Sequence, residues 1–221
     1  MPKSKSLSSL GLHTLNGSDP VINKIVFDSR QVEPGCLFAA LKGSSVHGAN
    51  FIETVLDAGA SAILTDEEGQ LILEGSKIDA LVVKKDARRA LAKAVSLFME
   101  KQPETIVAIT GTNGKTSVAT FCRQLWNKAG IEAINIGTTG VEGSWSTPLN
   151  YTTPDPVKLH QVLHTAASEG ITHVAMEASS HGLDQRRLDG VEIKATAFTN
   201  FSRDHLDYHV SIKDYFNAKK G

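Results

Sequence analysis

The 221-residue chain is 41% hydrophobic and 21% charged and carries a formal net charge of −1, values typical of a soluble globular protein. This charge offers no broad basic surface for nucleic acid, and no apolar run approaches the ~18 residues that span a membrane. The N-terminus lacks the apolar segment of a signal peptide, and Cys36 and Cys122 are too few for a metal or disulfide framework. We therefore expect a cytoplasmic protein that binds neither nucleic acid nor membranes.

Residues 1–102 have the pattern of a small α/β domain. Its strands are predicted from short apolar runs, at residues 24–28, 36–40, 61–64 and 80–83. Helices are predicted after Asn50 and after Asp86. A polar, proline-containing segment at residues 101–104 marks the predicted domain boundary.

Residues 103–221 alternate strands and helices, which predicts a parallel sheet with helices on its faces. Buried strands are predicted from apolar runs, at residues 106–109, 133–136, 172–176 and 195–199. Helices are predicted from Lys115, after Asp155 and from Ser211. The first of them is predicted to bury one apolar face, made of Val118, Phe121, Cys122, Leu125 and Ala129. Open sheets often have more strands than this, so we expect the chain to be part of a longer protein.

A glycine turn, GTNGKTS at residues 111–117, joins the first of these strands to the next helix. Glycines let backbone N–H groups close around phosphate oxygens, and a helix N-terminus favours negative charge. Lys115 is placed to reach the β- and γ-phosphates, and the Thr116 hydroxyl to bind Mg²⁺. The common P-loop has a glycine where Ile109 stands, so the loop is a short form. Strand, turn and helix together favour a nucleoside triphosphate site over an ordinary strand-to-helix connection.

Three further polar residues fall at the same predicted edge of the sheet, where ligands of open parallel sheets bind. Glu177 and His205 follow successive strands, and Lys219 lies on the last predicted helix. Each alone would be an ordinary solvated residue. Together, a carboxylate and an imidazole beside a triphosphate suit a divalent cation.

Other polar residues give weaker signals. His160 and His164 are four residues apart on a predicted helix. Because the glutamate of the zinc metalloprotease motif is missing, we predict that they face solvent. Arg186 and Arg187 follow a Gly-Leu turn and are candidates for binding an anionic group.

Taken together, these motifs resemble the Mur ligases, ATP-dependent amide-bond synthetases of peptidoglycan precursor assembly. The resemblance covers nearly the whole chain and rests on DSRQVEPGCLFAALKG, HGANFI, GTNGKTS, TTPDP, MEASSHGLDQRR and FTNFSRDHLDYH. Several of these motifs are most similar to the branch that makes the UDP-N-acetylmuramoyl-tripeptide. Such ligases phosphorylate a carboxylate with ATP, and an amine then attacks the acyl phosphate. The implied substrates are UDP-MurNAc-L-Ala-D-Glu, activated at its D-glutamyl γ-carboxylate, and a diamino acid, with meso-diaminopimelate favoured over L-lysine.

The resemblance also implies residue roles, with ATP and Mg²⁺ as cofactors. ATP would be bound by Gly111, Thr112, Asn113, Gly114, Lys115, Thr116 and Ser117. Metal would be held by Thr116, Glu177, His205 and Lys219, the last as a carbamate. The catalytic residues would be Lys115, Lys219, Glu177 and His205. The UDP-MurNAc-dipeptide would contact Phe27, Ser29, Ser44, Ser45, Val46, Thr152, Thr153, Ser179, Gln185 and Arg187. Carbamylation needs a neutral lysine, which implies a lowered pKa for Lys219.

In this interpretation residues 1–102 form a UDP-sugar-binding domain, and residues 103–221 form the first part of a central ATP-binding domain. The family's C-terminal domain would be absent, so we expect a monomer that cannot complete ligation alone. Alternatives are another family member such as MurF, or a non-catalytic nucleotide-sugar-binding module. Folylpolyglutamate synthetase is disfavoured by the N-terminal DSR segment, and a P-loop GTPase by the lack of N-K-x-D.

Overall fold

The computed structural model describes residues 3–220 and divides into two compact units, Met1–Met99 and Glu100–Gly221. Met1, Pro2 and Gly221, where the predicted domains begin and end, lie outside the described residues. The division falls close to the predicted boundary after residue 102. The assignment of one unit to a UDP-sugar and the other to ATP stays a prediction.

The first unit is built on a parallel sheet in the order β3-β4-β5-β6, beside an antiparallel pair of β1 and β2. Its elements are β1 (Lys5–Ser6), β2 (Val21–Ile22), β3 (Lys24–Val26), β4 (Cys36–Ala40), α1 (Ile52–Asp57), β5 (Ala62–Thr65), α2 (Glu67–Ile72), β6 (Leu81–Val83) and α3 (Ala87–Met99). Every residue of β4 is buried, as expected for a parallel strand covered on both faces. The predicted α/β class is confirmed.

The second unit carries a sheet in the order β11-β7-β10-β8-β9, parallel except for the antiparallel pair of β8 and β9. Its elements are β7 (Thr105–Thr110), α4 (Lys115–Lys128), β8 (Ala133–Gly137), β9 (Gly140–Glu142), α5 (Pro156–Ser168), β10 (His173–Glu177), α6 (Ser180–Asp184), β11 (Ile193–Phe198) and α7 (Ile212–Lys220). β7 lies between β10 and β11, so the ends of these three strands bring the glycine turn and the segments after residues 177 and 198 to one edge.

Two burial predictions for the second unit are wrong. Phe121 and Leu125 of α4 are 58% and 68% exposed, and Ala129 is exposed as well. The helix instead packs Ala119, with Val118, Cys122 and Trp126, against Ile109 and Ala175 of the sheet. The strand predicted to be buried at residues 195–199 corresponds to β11, an edge strand whose residues 194–198 are exposed.

His160 is also misplaced by the sequence-based prediction, since it is fully buried on α5 instead of facing solvent. It belongs to the buried stripe of that helix, with Leu159 and Leu163. The error came from treating the histidine pair as polar, although position 160 lies within the apolar periodicity. Within residues 3–220, no helix is both long and apolar enough to cross a bilayer.

Candidate nucleotide and substrate site

The turn between β7 and α4 has the backbone geometry of an anion-binding loop. Gly111 and Gly114 have φ values of 138° and 84°, which L side chains rarely adopt. A Cβ at Gly111 would also lie 1.9 Å from the Thr199 hydroxyl, so this position requires glycine. The first N–H groups of α4 have no intrahelical acceptor, and they carry the positive end of the helix dipole. A phosphate group would accept hydrogen bonds from these N–H groups, and the helix dipole would attract its negative charge.

Two lysine side chains reach this loop. Lys115 Nζ donates to the carbonyl oxygens of Gly111 and Thr112, at 3.0 and 2.8 Å. Lys219 Nζ, from α7, donates to the same Gly111 oxygen at 2.8 Å. Burial lowers the pKa of Lys219 to about 8, helped by the charge of Lys115 and opposed by Asp204. Burial also lowers the pKa of Lys115, against the attraction of Glu177 and Asp204.

Glu177 ends β10, beside the glycine loop, and its side chain is buried. The Thr138 N–H donates to Glu177 Oε1 at 2.8 Å, and the Thr138 hydroxyl donates to Oε2 at 3.4 Å. Gly137 makes room for this carboxylate, because a Cβ there would lie 2.0 Å from Oε1. The neighbouring strand β8 therefore fixes the orientation of Glu177.

His205 lies in the segment that follows β11, with a left-handed backbone at φ 51°. Its N–H donates to Asp204 Oδ1 at 2.8 Å, and its ring packs 5.0 Å from His181 and 5.9 Å from Tyr215. Across residues 3–220, no group of three or more His, Cys, Asp or Glu side chains comes together as a metal site. A magnesium ion bound to a nucleotide needs only one or two protein ligands, since phosphates and water complete its shell. The buried Glu177 carboxylate, set beside Lys115, fits such a metal.

The predicted substrate residues of the second unit form one hydrogen-bonded network. The Thr153 hydroxyl donates to Glu177 O at 2.8 Å and accepts from Ser179 N at 2.9 Å. Arg187 Nη1 donates to Thr153 O at 2.6 Å, and Arg187 also donates to Gln185 Oε1. The Thr152 hydroxyl lies 3.0 Å from the Thr138 hydroxyl, so Thr152 joins the network through Thr138. The network ties these five residues to the strand that carries Glu177.

The predicted substrate residues of the first unit follow β3 and β4, which are neighbours in its parallel sheet. Phe27 and Val46 are exposed, as are Ser44 and Ser45 in a turn that the Gly43 N–H closes onto Val46 O. Ser29 begins a short 3₁₀ helix capped by Asp28. These residues therefore lie at the carboxyl edge of the first sheet.

Several residues at the loop were not singled out from the sequence. Asn200 accepts from Thr112 N and, through its side chain, from Asn113 N. The Tyr215 hydroxyl contacts the Thr112 hydroxyl. The charge of Asp204 opposes the lowering of the pKa of both Lys115 and Lys219. Asn200 and Asp204 lie within the FTNFSRDH motif, which could have drawn attention to them. Tyr215 gives no local signal beyond its place on an amphipathic helix.

Comparison with known proteins identifies the family in which these residues occur. A profile described as "Mur ligase middle domain" matches residues 109–221, and one described as "Mur ligase family, catalytic domain" matches residues 21–106. The UDP-N-acetylmuramoyl-L-alanyl-D-glutamate--2,6-diaminopimelate ligase of Rhizobium meliloti (strain 1021) is 54% identical over 199 residues, which are 90% of this chain and 40% of that protein. The ligase of the same name from Caulobacter vibrioides is 50% identical over 209 residues, 91% of this chain and 42% of that protein.

Solved structures agree with this relationship. A structure of a ligase with the same name has a TM-score of 0.83 at 30% identity and covers 98% of this chain and 44% of its own. MurF from Acinetobacter baumannii has the same fold, with a TM-score of 0.63 at 21% identity over 99% of this chain and 46% of its own. The chain thus spans about two-fifths of the length of the curated relatives it matches. With the middle-domain profile covering more than half of its residues, the chain belongs to the Mur ligase family.

Proposed function

We propose that this chain supplies the UDP-sugar-binding part and the phosphate-binding part of an ATP-dependent ligase. The ligase would join diaminopimelate to the D-Glu γ-carboxylate of UDP-MurNAc-L-Ala-D-Glu. The names and the 54% and 50% identities of the similar curated ligases support this substrate pair. The observation that carries the proposal is the convergence of Lys115 and Lys219 on Gly111 O, at the edge of the sheet where the buried Glu177 ends its strand.

In the proposed site, residues 111–117 would hold ATP. Thr116 would bind one Mg²⁺, Glu177 and His205 would bind a second, and carbamylated Lys219 would bind or orient magnesium. When bound, ATP with Mg²⁺ supplies the phosphoryl group that turns the substrate carboxylate into an acyl phosphate open to attack by an amine. A carboxylate needs this activation because oxide is a poor leaving group.

The residues of the chain would bind and orient. Lys115 would exchange the Gly111 and Thr112 carbonyls for phosphate oxygens and so stabilise charge that develops during phosphoryl transfer. Arg187 and its partners would hold the anionic dipeptide end, since a guanidinium matches carboxylate geometry. The pKa of Lys219, lowered to about 8, supports carbamylation because it leaves more neutral amine near pH 7 to react with CO₂.

Titration calorimetry on the 221-residue chain tests the proposal. A non-hydrolysable ATP analogue with Mg²⁺ and UDP-MurNAc-L-Ala-D-Glu, each added separately, are expected to bind. Binding of the UDP compound alone would favour a nucleotide-sugar-binding module, and binding of neither would overturn the proposal. Preference for the UDP-MurNAc-tripeptide over the dipeptide would instead indicate a MurF-like ligase.

A further inference from the structure

Tyr215 is the largest fully buried side chain of the protein within residues 3–220, and it lies on α7 at the edge of the phosphate loop. Its hydroxyl is 3.1 Å from the Thr112 hydroxyl. Thr112 Oγ1 accepts from Ser202 N at 3.0 Å and donates to Ser202 O at 3.2 Å. Because a threonine hydroxyl has only one proton, the Tyr215 O–H is the donor to Thr112. The phenol thus completes the hydrogen bonding of a loop side chain that is itself buried.

The ring of Tyr215 contacts the second lysine of the site. Lys219 Nζ lies 4.7 Å from the ring centroid, one helical turn further along α7. An ammonium over an aromatic face at this distance is attracted by the ring quadrupole. Lys219 Nζ then reaches Gly111 O, the residue directly before Thr112. Tyr215 therefore contacts the phosphate loop in two ways. Its hydroxyl bonds Thr112, and its ring contacts Lys219, which in turn bonds Gly111.

Other rings fix Tyr215 in place. Phe201 stacks at 5.2 Å, and His209 and His205 lie at 5.3 and 5.9 Å between ring centroids. A phenylalanine would keep these contacts and lose only the hydrogen bond to Thr112.

We propose that Tyr215 is a positioning residue, whose hydroxyl holds Thr112 and whose ring holds the Lys219 amine, so that the phosphate loop and α7 keep one geometry. The role of Tyr215 in catalysis rests on the proposed function, whereas its effect on Lys219 does not. The first consequence is that Tyr215→Phe weakens binding of Mg²⁺ with the ATP analogue by about two- to tenfold, the value of one ordinary hydrogen bond. The second is that the Lys219 amine becomes more reactive.

The reactivity of the uncarbamylated Lys219 amine is measured by limited acetylation with acetic anhydride at one pH in bicarbonate-free buffer, followed by mass spectrometry. The exposed neighbour Lys220 serves as the internal reference. We expect the Lys219/Lys220 labelling ratio to rise at least about twofold in Tyr215→Phe, because the loop that holds the amine is released. Tyr208→Phe is the matched control. It removes a phenol that bonds Asp184 and Gln185 instead of the loop, and it should leave the ratio unchanged.

A double-mutant cycle with Thr112→Val separates positioning from simple packing. If the two hydroxyls act as a pair, Tyr215→Phe does not change the labelling ratio further once Thr112 is valine, whereas independent effects multiply. Tyr215→Leu also removes the aromatic face and should raise Lys219 labelling further; if it does not fold, the phenylalanine variant decides. An unchanged labelling ratio in Tyr215→Phe, or independent effects in the cycle, would overturn the proposal. Absence of nucleotide binding by the unsubstituted chain would instead remove the proposed function and leave the labelling test of Tyr215 intact.

Discussion

Lys115 and Lys219 donate to the same acceptor, the carbonyl oxygen of Gly111, at 3.0 and 2.8 Å. One lysine belongs to the helix that follows the glycine turn, and the other comes from α7, more than a hundred residues later in the sequence. Two ammonium groups on one carbonyl form a site of concentrated positive charge. An incoming phosphate would offer Lys115 a charged acceptor in place of this neutral one.

Lys115→Ala is expected to weaken binding of the ATP analogue by about 10- to 100-fold, since a hydrogen bond to a charged group contributes about 1.5–3 kcal/mol. Binding of UDP-MurNAc-L-Ala-D-Glu should be nearly unchanged. Calorimetry on both ligands measures the effect. Lys128→Ala is the matched control, because Lys128 is exposed in the last turn of the same helix. Equal nucleotide affinities for the two variants would contradict the phosphate-binding role of Lys115.

The sequence predicted the parallel strands and the glycine turn, because apolar runs and glycines are local signals, but it missed the short strands β1, β2 and β9. The sequence did not predict features that depend on contacts between residues distant along the chain. The pair of Thr112 and Tyr215 joins positions 103 residues apart, and no periodicity encodes such a contact. Periodicity also misjudged α4, whose apolar residues lie on more than one face, so that Phe121 and Leu125 face solvent while Ala119 is buried. The face that meets the sheet is made of Ala119 with Val118, Cys122 and Trp126, which pack against Ile109 and Ala175.

Gly137→Ala is expected to destabilise the second unit by about 1–3 kcal/mol, because the added methyl group overlaps the buried Glu177 carboxylate. Both tryptophans, Trp126 and Trp145, lie in this unit, so urea unfolding followed by tryptophan fluorescence reports on it selectively. The displaced carboxylate should also reduce the Mg²⁺ dependence of binding of the ATP analogue.

Gly170→Ala is the control for general destabilisation of the second unit in that experiment. Gly170 has a positive φ of 84° but no heavy atom within 4 Å of an added Cβ. Its substitution should cost only the ~1–2 kcal/mol of a left-handed residue and leave the Mg²⁺ dependence unaltered. If Gly137→Ala retains the Mg²⁺ dependence of the unsubstituted chain, Glu177 does not need the space that Gly137 provides.

Arg187→Lys keeps the positive charge but loses the guanidinium bonds to Thr153 O and Gln185 Oε1. We expect affinity for UDP-MurNAc-L-Ala-D-Glu to fall about tenfold, with affinity for the ATP analogue unchanged. The exposed Arg203 offers the matched control, Arg203→Lys. A similar loss for both variants would show that charge, and not the Arg187 network, determines substrate binding.

His160 makes the stability of the second unit sensitive to acid. Burial lowers the pKa of His160 to about 4, opposed by a hydrogen bond with the Asp189 backbone, whereas the unfolded chain has the ordinary value of 6.5. Between these values the unfolded state binds one proton more than the folded state, so stability is complete above pH 6.5 and falls as the pH drops toward 4. The loss is at most about 3.5 kcal/mol, since one pKa unit corresponds to about 1.4 kcal/mol.

His160→Leu should remove this dependence, because leucine fills the buried position without a titrating group. Burial also lowers the pKa values of His181 and His209, which contribute in the same pH range, and carboxylates with lowered pKa values, such as Glu142, contribute at lower pH; these contributions are equal in both proteins. The difference between the urea unfolding free energies of the two proteins, measured from pH 7 to pH 4.5 by tryptophan fluorescence, therefore isolates His160. His164→Gln, one turn later on α5, should keep the acid-sensitive slope. Parallel curves for His160→Leu and the unsubstituted chain would mean that His160 is protonated in the fold, with an acceptor for its charge.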